Sequence, residues 1–297
     1  MLTVDLAYLK AHPAQLPAFL RHQRIRTTPV SGGSICTAQR LTLDNGEHAF
    51  LKTHDAPPPG FFAAEEAGLR WLRQANAVPI PEVIAATEDT LVLEWVEPAA
   101  PSPQKAEQLG RDLARLHRSG AEYFGAPWSG YIGSLPLDNT PHTPDGPDNQ
   151  WPAWFAERRL RPYLRLSVDR GALSPSDARL VDEVLERIAD RAGPPEPPSR
   201  IHGDLWPGNI LWSSDAAWLV DPAAHGGHRE TDLALLTLFG GVPYLDRLLA
   251  AYQEVWPLAE GWRERVPLHQ LYLLLVHTAL FGVSYRDAVV RAAAAVR

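Results

Sequence analysis

One cysteine and one methionine occur in the 297 residues. With Cys36 alone, no intrachain disulfide can form, which suits a reducing compartment. A basic N-terminal segment followed by an apolar one is also missing, and Asp5 comes early. No signal peptide is therefore expected, and a cytoplasmic location is. No apolar run approaches the ~20 residues that span a bilayer. The most apolar stretch, Leu271 to Phe281, contains His277 and reads as a buried helix. Positive charge is not in excess either: the formal net charge is −7 and the pI is near 5.9. That argues against a nucleic-acid or anionic-membrane partner. No internal repeat is visible. Scarce methionine beside abundant alanine and arginine reflects a GC-rich genome and says nothing of chemistry.

What is present fits a globular enzyme, with 45% hydrophobic and 21% charged residues. The length allows two lobes around a cleft. A Pro-rich joint, Glu97 to Pro103, divides the chain into 1–97 and 98–297. Before it, strand signals dominate. Leu41–Leu43 and His48–Leu51 flank Asp44-Asn45-Gly46, a strong hairpin signal. A helix is predicted over Phe62 to Ala75 and a strand over Thr90 to Trp95. After the joint, helices dominate. Ser102 can cap a helix beginning at Pro103, with Ala106, Leu109, Leu113, Leu116 and His117 on its apolar face and Gly120 at its end. Ser174-Pro175 starts another. Ile210–Trp212 and Trp218–Val220 read as a short hairpin, and Thr231 to Arg297 as largely helical. Pro136 to Gln150 is polar and Pro-rich, so a loop is expected there. The basic run Arg158-Arg159-Leu160-Arg161 reads as a solvated helix face. These signals make an α+β chain with a small β-rich N-lobe and a larger, mainly helical C-lobe.

The stretch from Arg200 to Leu211 carries the most chemistry. It holds His202-Gly203-Asp204, then Asn209 after a Pro207-Gly208 turn, and Asp221 closes the apolar run Trp218 to Val220. Phosphoryl transfer from ATP needs such a set: one carboxylate to orient the attacking hydroxyl, and an amide oxygen plus a second carboxylate to hold Mg²⁺. In that reading Asp204 is the base, and Asn209 and Asp221 are the metal ligands. A surface turn that happens to contain Asp and Asn is the plain alternative.

The matching parts occur upstream, in order. Gly32, Gly33 and Ser34 form a turn whose N–H groups could meet phosphate oxygens. Lys52 closes the next strand, within reach of the α- and β-phosphates. Glu65 on the following helix can hold its ammonium, with Glu66 as the close competitor. Glu94, Trp95 and Val96 lead into the joint, where backbone groups could bond an adenine edge. Singly, each is weak: two glycines make a plain turn, and a strand-end lysine is usually solvated. The order is what carries weight.

In that order the chain resembles the aminoglycoside-phosphotransferase-like kinases, which implies a bilobal protein-kinase-like fold. It departs from protein kinases proper in His202-Gly203-Asp204, in Asp221-Pro222-Ala223 and in lacking an activation loop. More closely, His202 to Asn209, Asp221-Pro222-Ala223, Gly227 to Ala234, Phe239-Gly240-Gly241, Gly130 to Pro136 and Trp154 to Pro162 resemble the fructosamine kinase (ketosamine-3-kinase) family. Where family members usually carry an aromatic pair, this chain reads His225-Gly226, which bears on sugar preference.

The resemblance implies an ATP- and Mg²⁺-dependent kinase that phosphorylates the 3-hydroxyl of a ketosamine, free or on a lysine side chain. The unstable product then breaks down and frees the amine. An aminoglycoside or other small-alcohol phosphotransferase is the alternative, and a non-catalytic nucleotide-binding protein the third reading. Trp206, His228, Arg229 and Glu230 are candidate substrate contacts. Against that, Trp206 could be packed, and Arg229 with Glu230 could form a structural ion pair. His202 is expected to be structural, bonding the loop backbone or Asp232. His225 and His228 lack the further ligands of a metal site. Cys36 is either an inert side chain or an oxidation-sensitive one beside the Gly turn.

Overall fold

A computed structural model describes residues 5–30, 35–141 and 151–296. The turn with Gly32, Gly33 and Ser34 lies outside the described residues, as does most of the expected loop before Gln150.

The first third is built on an antiparallel sheet. Its strands are β1 (Arg26–Pro29), β2 (Thr37–Thr42), β3 (His48–Thr53), β4 (Val83–Ala86) and β5 (Thr90–Glu94), in spatial order β1-β2-β3-β5-β4. Asn45-Gly46 turns β2 into β3, with Thr42 opposite His48. Gly46 has φ +86°, a conformation that costs glycine no Cβ clash. The two-residue period of β3 sends Ala49 and Leu51 to one face and Phe50 and Lys52 to the other. Two short helices cover the first face, α1 (Leu6–Ala11) and α2 (Leu16–Leu20), through Leu9, Leu16 and Phe19. The other face packs against α3 (Phe61–Gln74), where Leu69 and Leu72 are buried. Helices α1 and α2 and strand β4 were not anticipated from the sequence.

Past the joint comes α4 (Pro103–Arg118). The Ser102 hydroxyl accepts the Lys105 N–H at 3.3 Å, and the expected apolar face is buried. The hairpin β6 (Gly130–Ile132) and β7 (Leu135–Leu137) follows, so a strand extends into the segment predicted as loop. Next are α5 (Trp151–Phe155), α6 (Arg161–Asp169), α7 (Pro175–Glu186) and α8 (Ile188–Arg191). Ser174 and Asp177 cap α7 reciprocally. Then come β8 (Ser199–Ile201), β9 (Ile210–Trp212), β10 (Ala217–Leu219) and β11 (His225–Gly227), with β9 paired to β10 and β11 to β8. Helices α9 (Arg229–Leu235), α10 (Leu245–Val255), α11 (Trp262–Phe281) and α12 (Arg286–Val296) complete the chain.

Helix α11 is longer than its apolar run suggested. Within the helical stretch Trp262–Val296, an 18-residue window has the mean hydropathy (1.4) of a membrane-crossing helix, yet 56% of that window is buried inside the protein. Leu271, Leu273 and Leu275 are fully buried in the core of the helical half. Each contributes about 1.5–3 kcal/mol by leaving water.

In the basic run Arg158 and Arg161 stay partly exposed, but Arg159 is not on a solvated face. Arg159 is fully buried over the Trp154 ring, 4.3 Å from its centroid, and donates to the Asp138 carbonyl (2.6 Å) and to Asn139 Oδ1 (2.7 Å). A π-helical turn over Ala156–Leu160 adds a residue to the helical repeat, and Arg159 lies inside that turn.

Helices α4 and α10 meet at Gly110, where a Cβ would lie 2.1 Å from the Leu248 carbonyl oxygen and 3.0 Å from the Tyr252 nitrogen. Backbone cannot yield as a side chain does. Gly110→Ala is therefore expected to cost about 3 kcal/mol or more, the upper range for overpacking, measured by urea denaturation. Unchanged stability would show that the two helices can separate freely.

Candidate active site

A cavity of about 900 Å³ runs between the sheet and the helical half. Because Lys52 shares a face with Phe50, its side chain enters this cavity rather than the core beneath Leu51. There the Lys52 ammonium meets Glu65 Oε2 at 2.8 Å, Glu65 Oε1 at 3.0 Å and Asp221 Oδ1 at 3.1 Å. Burial opposes the charge on Lys52, but the Asp221 and Glu65 carboxylates outweigh it and hold the ammonium protonated. Glu66 points elsewhere and pairs with Arg70 at 2.8 Å, one helical turn on.

Asp221 follows β10 with φ +54°, a left-handed conformation uncommon outside glycine. The turn leaves its side chain 41% exposed in the cavity. Asn209 is buried, and its Nδ2 donates to the Asp204 carbonyl (2.8 Å) and to Asp204 Oδ2 (3.1 Å). With the amide nitrogen so engaged, Asn209 Oδ1 is left to accept or ligate. Asp204 Oδ1 is buried and has no hydrogen-bond partner. Burial, then the nearby Asp221 charge, push the Asp204 carboxyl well above the usual range, against the Asn209 bond. The unpartnered Oδ1 is free to accept a hydrogen bond from a hydroxyl in the cavity. These oxygens are hard donors of the kind divalent cations such as Mg²⁺ take.

The loop carrying Asp204 is fixed from behind. The carboxylate of Asp232, fully buried, accepts the His202 N–H at 2.7 Å and the Gly203 N–H at 2.9 Å. His117 Nε2 lies 3.2 Å from the same carboxylate. A carbonyl can only accept, so His202 Nε2 donates to Val220 (2.9 Å), and its Nδ1 takes the Asp204 N–H. Burial lowers the proton affinity of His202 and keeps the ring neutral. Gly203 has φ +80°, and a Cβ there would lie 2.2 Å from the Ala223 carbonyl oxygen.

Trp206 lines the cavity, its indole folded over Gly208 and set edge-on to Phe239 at 5.7 Å. Glu94, Trp95 and Val96 line the opposite end. The Glu94 N–H is taken by the Glu82 carbonyl at 2.9 Å. Cys36 also lines the cavity, and burial pushes its thiol up to about 11, so it stays protonated at neutral pH.

His228, Arg229 and Glu230 do not line the cavity. Arg229 and Glu230 do not pair with each other as expected: Arg229 forks onto Glu196 (2.6 and 2.7 Å) and Glu230 onto Arg265 (2.8 and 2.6 Å). His228 is buried against Trp151. Among the described residues, His228, Glu230 and His269 have ligand-like spacing, but the Arg265 guanidinium already occupies both Glu230 oxygens. His225 and Gly226 lie outside the cavity wall too, in β11. A Cβ at Gly226 would come within 2.0 Å of the Tyr123 carbonyl oxygen, which excludes a larger residue here. Missed from the sequence were Phe239, His277, Phe281 and Tyr285, all in the cavity wall. The i, i+4, i+8 spacing of the last three on a helical run was the available signal.

A family model described as fructosamine kinase matches residues 14–296. A protein from Thermus thermophilus named a probable ketoamine kinase is 36% identical over 269 residues, covering 90% of this chain and 92% of its own. A crystal structure assigned as a fructosamine-3-kinase from Thermobifida fusca superposes with a TM-score of 0.88 at 49% identity, covering 97% of this chain and 98% of that one. A macrolide 2'-phosphotransferase from Brachybacterium faecium, 17% identical with a TM-score of 0.58 over 94% of this chain and 97% of its own, shares the fold.

The Glu230–Arg265 fork has a pH signature. Burial alone would raise the Glu230 carboxyl, but the Arg265 and His269 contacts outweigh it and bring it from 4.5 to about 2. As pH falls, the unfolded chain takes up the proton first. The stability contributed is complete above about pH 4.5 and drains away toward pH 2. At neutral pH it amounts to roughly 3 kcal/mol. Glu230→Gln is expected to lower stability at pH 7 and to flatten its dependence on pH between 4.5 and 2, as read by denaturant titration. An acid limb as steep as in the wild type would place that stability elsewhere.

Proposed function

The chain belongs to the fructosamine kinase family, and on that footing we propose that it transfers the γ-phosphoryl group of ATP to the 3-hydroxyl of a ketosamine. The ketosamine 3-phosphate breaks down and releases the amine, which amounts to deglycation. One observation carries the assignment of the site: Lys52 bridges Glu65 and Asp221 in the cavity that also holds Asp204 and Asn209.

In this reading Glu65 aims Lys52 at the α- and β-phosphates. Asn209 Oδ1 and Asp221 would hold Mg²⁺, which supplies charge neutralisation at the phosphates. Asp204 Oδ1 accepts the hydrogen of the attacking hydroxyl and takes the proton as the bond to phosphorus forms. Asn209, through its two bonds to Asp204, fixes the direction of that oxygen. Since the transition state is loose, positioning and electrostatics weigh more than base strength.

With the Glu94 N–H engaged, the backbone of Trp95 and Val96 is left for the adenine edge. Gly32, Gly33 and Ser34 are assigned to the phosphates on sequence order. The boundary between lobes is set at 97/98. Trp206 is assigned to the acceptor, whereas His228, Arg229 and Glu230 are assigned to the scaffold beneath the site. A cytoplasmic location suits the protonated lone thiol of Cys36.

Asp204→Ala is expected to cut turnover by about 10²–10⁴, the scale for loss of a general base, while KM for ATP changes little. Turnover close to that of the wild type would dismiss Asp204 as the base. Assays with ribuloselysine, fructoselysine and kanamycin side by side, and phosphorus NMR of the product, test the substrate. Phosphate on a hydroxyl other than O3, or turnover of kanamycin alone, would overturn the ketosamine reading.

A further inference from the structure

The acceptor end of the cavity is walled by rings. From Trp206 the contacts run to Phe239 (5.7 Å), on to His277 (4.7 Å), and then to Tyr285 (5.0 Å) and Phe281 (5.5 Å). Phe239 and Phe281 are 42% and 45% exposed, so their faces are available to a ligand. Phe239 lines the cavity in the turn after α9, with φ +52°, ahead of Gly240 and Gly241, both also at positive φ. A bulky residue holds that backbone only where its surroundings impose it.

Among the described residues, this wall carries no carboxylate. The acids lining the cavity among the described residues are Glu65, Glu94, Asp204 and Asp221. Lys52 binds Glu65, Glu94 accepts the Glu82 N–H at the far end, and the other two serve the chemistry. Among the described residues lining the cavity from Leu273 to Tyr285, none is acidic. His277 offers one polar atom. Its Nδ1 donates to the Leu273 carbonyl at 2.9 Å, which makes Nε2 of the neutral ring an acceptor. Burial lowers its proton affinity and keeps it neutral.

A ketosamine carries its sugar on a secondary amine that is cationic at neutral pH. We propose that Phe239, His277, Phe281 and Tyr285 form the subsite for this ammonium and the first carbons of its substituent, binding the charge by ring faces and by His277 Nε2 rather than by a carboxylate. Ring faces attract cations through their quadrupole, most strongly when water is excluded. The subsite favours a monocation with an apolar arm. It disfavours a polycation, whose further charges would find no counter-ion among the described residues of this wall. This assignment rests on the ketosamine reading and adds what determines recognition of the amine.

The test compares two compounds on the full-length enzyme: the ketosamine of butylamine, and its isostere with an ether oxygen in place of the amine nitrogen. For the wild type, KM for the ether is expected to be at least about tenfold higher, the scale of a desolvated cation–π contact. In Phe281→Leu with Tyr285→Leu the two KM values should converge through a rise of about tenfold for the amine, with KM for ATP retained. Tyr285→Phe keeps the ring and should keep the preference. A wild-type ratio near one, or a ratio unchanged in the double variant, overturns the subsite while leaving the kinase reading intact. A wild-type enzyme inert on both compounds overturns both.

Discussion

The Lys52 ammonium is the interaction on which the cavity depends. It neutralises two carboxylates, Glu65 13 residues away and Asp221 169 residues away, within 3.1 Å. Remove it, and Glu65, Asp221 and the nearby Asp204 become like charges in a region poorly screened by water. The same bonds tie the sheet, α3 and the segment after β10 together. A group suited to nucleotide phosphates thus also holds the halves of the protein in register. The cost is that Glu65 is a buried charge, which is tolerable only while it is paired.

Behind this cluster the helical half supplies rigidity. Asp232 on α9 accepts two consecutive loop N–H groups and faces His117 of α4, whose Nδ1 lies 2.9 Å from the Tyr252 hydroxyl of α10. Three helices therefore converge on the backbone of His202 and Gly203. Their contribution is rigidity: the loop that carries Asp204 is held from behind. The buried forks Arg229–Glu196 and Arg265–Glu230 extend the arrangement below the loop.

Much of this was legible in the residues. Asn45-Gly46, Ser102-Pro103 and Ser174-Pro175 carry their turn and cap chemistry locally, and the structure follows them. Glu65 and Glu66 could be ranked but not separated by spacing, because adjacent helical residues point about 100° apart and only packing decides which faces Lys52. The same limit misdirects the pairing of Arg229 with Glu230, since neighbours on a helix do not face each other. Their true partners, Glu196 and Arg265, lie 33 and 35 residues away. Helices α1 and α2 are too short for a clear periodic signal and are interrupted by Pro13 and Pro17. Arg159 is hidden by its basic neighbours and by the π-helical turn. The ring wall draws on two separate segments, so no single motif announces it.

The joint between the halves is fastened to the helical half. The Ala99 N–H bonds the Trp212 carbonyl at 2.7 Å, and the Lys105 ammonium reaches the carbonyls of Ala100 and Ser213, both at 2.6 Å. From Ala99 onward the connector is thus cemented to the hairpin that presents Asn209 and Asp221. Any swing of the sheet relative to the helices must be absorbed by torsions between Trp95 and Pro98, a stretch that also borders the cavity. An occupant stacked against that stretch would brake the pivot directly, so cleft opening and its departure would be mechanically linked.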